Sequence, residues 1–193
     1  MKLDILLNPD LRLPGDPALG ELAPIKTQIF YPLEVRQSAL AADIGQGVFA
    51  AAPIAQGSVI VIGGGQVTSS ISAAPCDYTG IFDEHYHIAP LDFDAPTPNW
   101  LMNHSCASNT RLIGRLVILA RRDIAVGEEL TVDYSTVVAG NHPWRMECRC
   151  GGARCRRLIT NEDWRDSLLF ALLFEEWPVF IQRYGLMTTA WER

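Results

Sequence analysis

Short apolar runs entered from glycine set the pattern of the first two thirds of the chain. Val48-Phe49-Ala50 follows Gly45-Gln46-Gly47, and Ser58 to Ile62 follows Gln56-Gly57. Both read as strands leaving tight turns. An extended segment starts near Ile29-Phe30-Tyr31, and Val67 to Ile71 reads as a further strand after Gly63-Gly64-Gly65. From Ser72 to Asn99 prolines and acids break every clean period, which predicts loops, short strands and one helical turn. Arg115 to Ala120 is a continuous branched and apolar run, hence a strand. Val126-Gly127-Glu128 is a turn, and Glu129 to Tyr134 is strand again. Residues 1–28, broken by Pro9, Pro14, Pro17 and Pro24, form an irregular lead-in.

The last third changes character. Thr160 with Asp163 three residues later resembles a capping box, which predicts a helix from about Asn161 to Trp177. Pro178 then opens a second short helix and Gly185 ends it. Leu168 to Phe174 is the longest apolar run; it is far too short to span a bilayer and is expected to pack on its own domain. The sum is a β-rich α+β chain, mainly small sheets with C-terminal helices.

With 193 residues, nearly half of them apolar, the chain can build a core without disulfides. Its first residues carry Asp10 and Arg12 where a secretory leader would be apolar, so an intracellular, reducing compartment is expected. The net charge of −6 is uneven: no Lys or Arg occurs from Gln37 to Thr110, an interval that holds Asp43, Asp77, Asp83, Glu84, Asp92 and Asp94. Such a surface favours a Lys/Arg-rich protein or peptide over nucleic acid. Arg149, Arg154, Arg156 and Arg157 read as solvated surface charge.

Five cysteines are an odd set for a disulfide framework. Cys148, Cys150 and Cys155 crowd onto a turn opened by Gly151 and Gly152, and three thiolates are one short of a closed zinc site. Cys106, inside Asn103-His104-Ser105-Cys106, is the natural fourth donor. Zinc held there would tie the C-terminal segment to the domain centre. Cys76 reads as a free thiol without a role. The Gly45-Gln46-Gly47 pair lacks the rest of a dinucleotide fingerprint.

This combination resembles the SET-domain protein lysine methyltransferases over roughly Phe30 to Leu158. Gly45-Gln46-Gly47-Val48-Phe49 is similar to the family's first cofactor motif. Asn103 to Asn109 resembles N-H-S-C-x-P-N, with Ser108 in place of proline, and Gly127 to Tyr134 resembles G-E-E-L-T-x-D-Y. Cys148 to Cys155 resembles the post-SET C-x-C-x4-C, whose zinc is completed by the cysteine of the N-H-S-C motif.

The resemblance implies a SET fold of small sheets with a knot-like threading of the C-terminal segment. The implied divisions are a SET domain over 29–140, a zinc-bound post-SET segment over 141–159 and a helical extension over 160–193. It implies S-adenosylmethionine as methyl donor, with S-adenosylhomocysteine as product, contacted by Gly45, Gln46, Gly47, Phe49, Asn103, His104 and Tyr134. Tyr134 would stand at the point of methyl transfer to a lysine amine, and Cys106, Cys148, Cys150 and Cys155 would bind the zinc. Trp100 replaces a common Arg, and Val132 occupies a position, often aromatic, that helps control how many methyl groups fit. Two other readings are a non-catalytic SET-fold module that binds a protein partner, and a zinc-stapled structural domain without a cofactor site.

Overall fold

The computed structural model describes residues 24–40, 45–68, 79–84, 86–140 and 143–191. The Cys76 thiol and the lead-in before residue 24 lie outside them. Among the described residues, short strands assemble into four small sheets. In chain order these are β1 (Gln28–Ile29), β2 (Leu33–Gln37), β3 (Gln46–Ala50), β4 (Val59–Ile62), β5 (Gln66–Thr68), β6 (Gly80–Ile81), β7 (His87–Ala89), β8 (Asn103–His104), β9 (Thr110–Ile113), β10 (Val117–Ala120), β11 (Glu129–Val132), β12 (Arg145–Glu147) and β13 (Leu158–Thr160). The expected mainly β architecture is therefore observed.

Two four-stranded sheets carry the centre, ordered β1-β4-β10-β9 and β2-β3-β11-β8. Their apolar residues meet in one core around Val48, Ile60, Val61, Ile118 and Leu130, all buried. β5-β7-β6 forms a third sheet beside it, with Val67, Phe82, Ile88 and Leu116 as its own small core. β12 and β13 pair as an antiparallel ribbon.

The decisive pairing is β8 with β11. It is the one parallel pair among the described strands, with Thr131 opposite Asn103 and Val132 opposite His104. Parallel neighbours need a long crossover rather than a hairpin, and here the crossover contains β9 and β10. Asn109 holds the loop after β8 in place. It accepts from Thr131 N–H (2.9 Å) and donates to the Glu129 carbonyl (2.8 Å), while Thr110 Oγ1 donates to the Thr131 carbonyl (2.7 Å).

Three sequence expectations change here. The strand expected to reach Tyr134 stops at Val132, because Asp133 caps a short helix α1 (Tyr134–Val138) by accepting from Ser135 N–H. The single helix expected over 161–177 breaks into a 3-10 turn (Asp163–Arg165), α2 (Ser167–Leu172) and a second 3-10 turn (Phe174–Glu176). Asp163 does reach back to Thr160, accepting from its N–H and hydroxyl. Yet Asp166 is extended and starts a fresh cap on Leu169 N–H, and the buried Trp177 indole takes the Phe170 carbonyl (3.1 Å) that an uninterrupted helix would offer to residue 174. Within the apolar run Phe170 and Leu173 pack inward, whereas Leu168 and Leu172 stay exposed.

Gly185 does not end the last helix. α3 (Val179–Trp191) runs through it. A Cβ at Gly185 would lie 2.3 Å from the tip of the Phe170 ring, and that ring is itself stacked on Trp177 and met edge-on by Phe174. The glycine is a packing residue. Gly185→Ala is expected to lower stability by about 1–3 kcal/mol through overpacking, despite the better helix propensity of alanine. Chemical denaturation checks this; a stabilised variant would contradict the packing.

Candidate active site

β8 delivers Asn103 and His104 to the end of β11, and the α1 cap places Tyr134 beside them. Asn103 Nδ2 donates to the Gln46 carbonyl (2.9 Å) and to Glu129 Oε1 (2.7 Å). Ser38 Oγ donates to the same carboxylate. Glu129 therefore joins β8 to the end of β2, while Asn103 itself reaches the entry of β3. Glu129 also explains Gly47: a Cβ there would lie 2.3 Å from Glu129 Oε1 and 2.9 Å from Ser38 Cβ.

His104 is buried, and its Nδ1 accepts the Tyr134 backbone N–H (3.1 Å). An Nδ1 that accepts leaves the proton on Nε2, which faces Cys106 Sγ at 3.4 Å. Burial, opposed by the nearby Asp133, lowers the imidazole to about 4, so it is neutral at pH 7. The 3.8 Å approach of His104 Nδ1 to Asp133 Oδ1 is accordingly not a charge pair.

Tyr134 donates its hydroxyl hydrogen to the Met102 carbonyl (2.9 Å). Its ring packs against His104 and meets Trp144 edge-on at 6.3 Å. Two cavities meet at this ring. The larger, a cleft of about 570 Å³, is lined by Asn103, His104, Tyr134 and, from the cysteine segment, Met146 to Cys150. The smaller, of about 130 Å³, is walled chiefly by apolar side chains such as Ile88, Leu116, Val132 and Val137, with Trp100 and Trp144 at its sides. Tyr134 lines both.

The four cysteines Cys106, Cys148, Cys150 and Cys155 converge, with all four sulfurs within 4.8 Å of one another. Cys148 Sγ lies 3.7 Å from Cys106 Sγ and 3.5 Å from Cys155 Sγ. Zinc–sulfur bonds near 2.3 Å in a tetrahedron require sulfur–sulfur edges of about 3.8 Å, so the spacing fits zinc. The proton balance also fits. Burial pushes the Cys106 and Cys148 thiols up. Burial opposes ionisation of Cys150 too, but N–H groups of Cys106 and Gly152 and the neighbouring thiols outweigh it and lower Cys150 to about 6. A thiolate already present among crowded, reluctant thiols is a donor set suited to a divalent soft cation.

Of the residues expected to form one site, Asn103, His104, Tyr134 and the four cysteines come together. Gly45, Gln46, Gly47 and Phe49 stand behind Asn103 rather than among the residues lining the cleft: Gln46 accepts from Asn103, and Phe49 lies under the Arg36 guanidinium at 3.9 Å. Sequence reading had Glu129 only as part of the Gly127 to Tyr134 motif and missed its contacts with Asn103 and Ser38. It missed Asp133 as a cap, although Asp two residues before Ser135 is a legible capping pattern. It misread Arg156, which is not surface charge: its side chain is only 20% exposed and meets buried Asp133 at 2.6 Å.

Residues 45–135 match the family model for the SET domain. The chain is 30% identical over 141 residues to histone-lysine N-methyltransferase ash1 of Drosophila melanogaster, covering 65% of this chain and 6% of that protein. It is 32% identical over 132 residues to human histone-lysine N-methyltransferase 2B, covering 60% of this chain and 5% of that protein. The aligned part is thus a small fraction of those relatives. Among solved structures, the methyltransferase domain of human histone-lysine N-methyltransferase SETMAR is similar in fold, with a TM-score of 0.51 at 19% identity over 68% of this chain and 58% of that one. KRYPTONITE, solved with mCHG DNA and SAH, gives a TM-score of 0.52 at 24% identity over 68% of this chain and 30% of that one. Over residues 45–135 the chain is thus similar to the SET-domain family.

If the four sulfurs hold zinc, the purified protein carries about one zinc per chain. Cys150→Ser is expected to lose most of that metal and to expose residues after 145 to protease. Elemental analysis with limited proteolysis checks it; full metal content in the variant would remove Cys150 from the ligand set.

Proposed function

We propose that this chain transfers a methyl group from S-adenosylmethionine to the side-chain amine of a lysine in a protein substrate. The observation that carries the reading is Tyr134 as the shared wall of two unlike cavities. The wide, partly polar cleft suits a nucleoside-bearing donor, and the narrow apolar cavity suits the methylene chain of lysine. The donor class is supported by SAH in the solved KRYPTONITE complex, and the reaction class by the names of the relatives.

The chemistry needs alignment more than acid or base. The amine lone pair attacks the methyl carbon, the sulfur–methyl bond breaks in line, and the sulfonium leaves as the neutral thioether of S-adenosylhomocysteine. The methylated nitrogen then loses a proton to solvent. Because the Tyr134 hydroxyl gives its hydrogen to the Met102 carbonyl, its oxygen lone pairs remain to accept from the incoming amine and orient it. Among the described lining residues of the narrow cavity there is no carboxylate and one cation, Arg115. Such a wall favours the neutral amine, the form that can attack. Asn103 and His104 wall the donor cleft, and the entry to β3, Gly45 to Gly47 with Phe49, supports it from behind. The zinc, held by Cys106, Cys148, Cys150 and Cys155, would have a structural role, closing the cleft with the segment that supplies Met146 to Cys150. The divisions 29–140, 141–159 and 160–193 serve as catalytic domain, zinc segment and bracing extension.

A basic protein such as a histone is the proposed substrate class, from the acids of the 37–110 interval and from the relatives' names. Asp83 already faces Arg115 at 3.5 Å, and Glu84 accepts from the Tyr184 hydroxyl, so these two acids also serve internal contacts. Among the described residues no helix is long and apolar enough to cross a membrane. Unpaired thiols around a zinc site suit a reducing compartment inside the cell.

Tyr134→Phe tests the reading. Methyl transfer to a panel of basic peptides is expected to fall by about 10²-fold or more, with donor affinity within a few-fold of the parent. Unchanged turnover in a folded variant would contradict the role of the hydroxyl. Donor binding without any transfer by the parent would favour the non-catalytic binding module.

A further inference from the structure

Arg156 sits immediately after Cys155, outside both cavities, yet it meets the cysteine cluster and the cap of the Tyr134 helix. Its backbone N–H points at Cys106 Sγ (3.4 Å). Its Nη2 donates to Asp133 Oδ1 at 2.6 Å. Asp133 is 2% exposed and caps α1 through the N–H and hydroxyl of Ser135 (3.1 and 2.8 Å). Tyr134 is the first residue of that helix, and its N–H is held by His104. On the other side Arg156 Nε lies 3.8 Å from Asp163 Oδ2, whose partner oxygen is fixed by Thr160. Among the described residues the buried Nε and Nη1 of Arg156 have no hydrogen-bond partner, and Asp133 is the one that fixes the guanidinium by hydrogen bonding.

Burying a carboxylate is costly unless it is paired and hydrogen-bonded. Arg156 is the cation in contact with Asp133. It reaches Asp133 only when the loop carrying Cys155 is folded against Cys106. The cysteine turn thus meets the cap of the Tyr134 helix through this ion pair, beside the separate link that runs from Cys106 through His104 to the Tyr134 N–H.

We propose that Arg156 is a positioning residue that couples the cysteine cluster to Tyr134, so that the reacting hydroxyl is set only when the zinc segment is docked. The proposal rests on the methyl-transfer reading for its kinetic consequence, but the coupling itself is structural. Arg157, the next residue, is exposed with a left-handed φ of 67°, a conformation that turns the chain away directly after Arg156 and lets its carbonyl accept from Cys148 N–H (2.8 Å).

The test uses the full chain loaded with zinc and compares it with Arg156→Ala and Arg156→Lys. Backbone hydrogen exchange at residues 134–136 is measured before and after chelation, alongside zinc content, S-adenosylhomocysteine affinity, kcat and peptide KM. In the parent, chelation is expected to speed exchange of these amides by about tenfold or more. Metal-loaded Arg156→Ala is expected to show fast exchange already, with zinc retained. Its kcat is expected to fall by about tenfold while peptide KM and donor affinity change by less than about threefold. Arg156→Lys keeps the charge and should recover part of both. If Arg156→Ala does not fold, Arg156→Gln decides: exchange and kcat both equal to the parent would overturn the proposal, because the amide carries no charge to pair with Asp133. Parent-like exchange at 134–136 in a folded, zinc-loaded Arg156→Ala would overturn it as well. A parent that transfers no methyl but shows the exchange coupling would sink the methyl-transfer reading and leave the coupling standing.

Discussion

The structure depends on a meeting of sulfurs. Cys106 and Cys148 are 42 positions apart in the chain and 3.7 Å apart in space. One leaves β8 beside the parallel β8–β11 pair, and the other opens the turn after β12. Closing that distance brings the segment from Met146 to Cys150 over Asn103 and His104, which turns an open sheet edge into a cleft. A domain of short strands has few residues per sheet with which to fix such a segment. A metal held by the four clustered cysteines would fix it with four side chains.

The consequences run inward from there. Arg156 follows the third cysteine of the turn and neutralises Asp133, and Asp133 starts the helix that carries Tyr134. His104 receives the Tyr134 N–H and points its other nitrogen at Cys106. Cysteine cluster, imidazole, helix cap and phenol thus form one connected set. Glu129 does the equivalent for the strands, binding Asn103 and Ser38 at the place where Gly47 leaves room for its carboxylate.

Much of this was legible in the sequence wherever a residue type is dictated by chemistry. Three cysteines on a glycine turn and a fourth after Asn-His announce the sulfur cluster that the fold brings together. Strands at 46–50 and 59–62 followed from runs entered at glycines, and that at 117–120 from its branched and apolar residues. The rest depended on contacts that spacing does not encode. The apolar run at 168–174 looks helical throughout, but Trp177 captures the Phe170 carbonyl and splits it. Gly185 looks like a terminator, although its lack of a side chain serves the Phe170 ring. Arg156 is one arginine among four in a basic stretch, and only the fold shows that it alone turns inward onto Asp133. Charge counting misassigned it because burial cannot be read from composition.

The central claim is that sulfurs from two distant segments close on one metal and so shape the site. X-ray absorption at the zinc edge tests it most directly. Four sulfur neighbours at about 2.3 Å are expected, falling to three in Cys106→Ser. A parent spectrum with only three sulfurs, or one unaltered by loss of Cys106, would contradict the account.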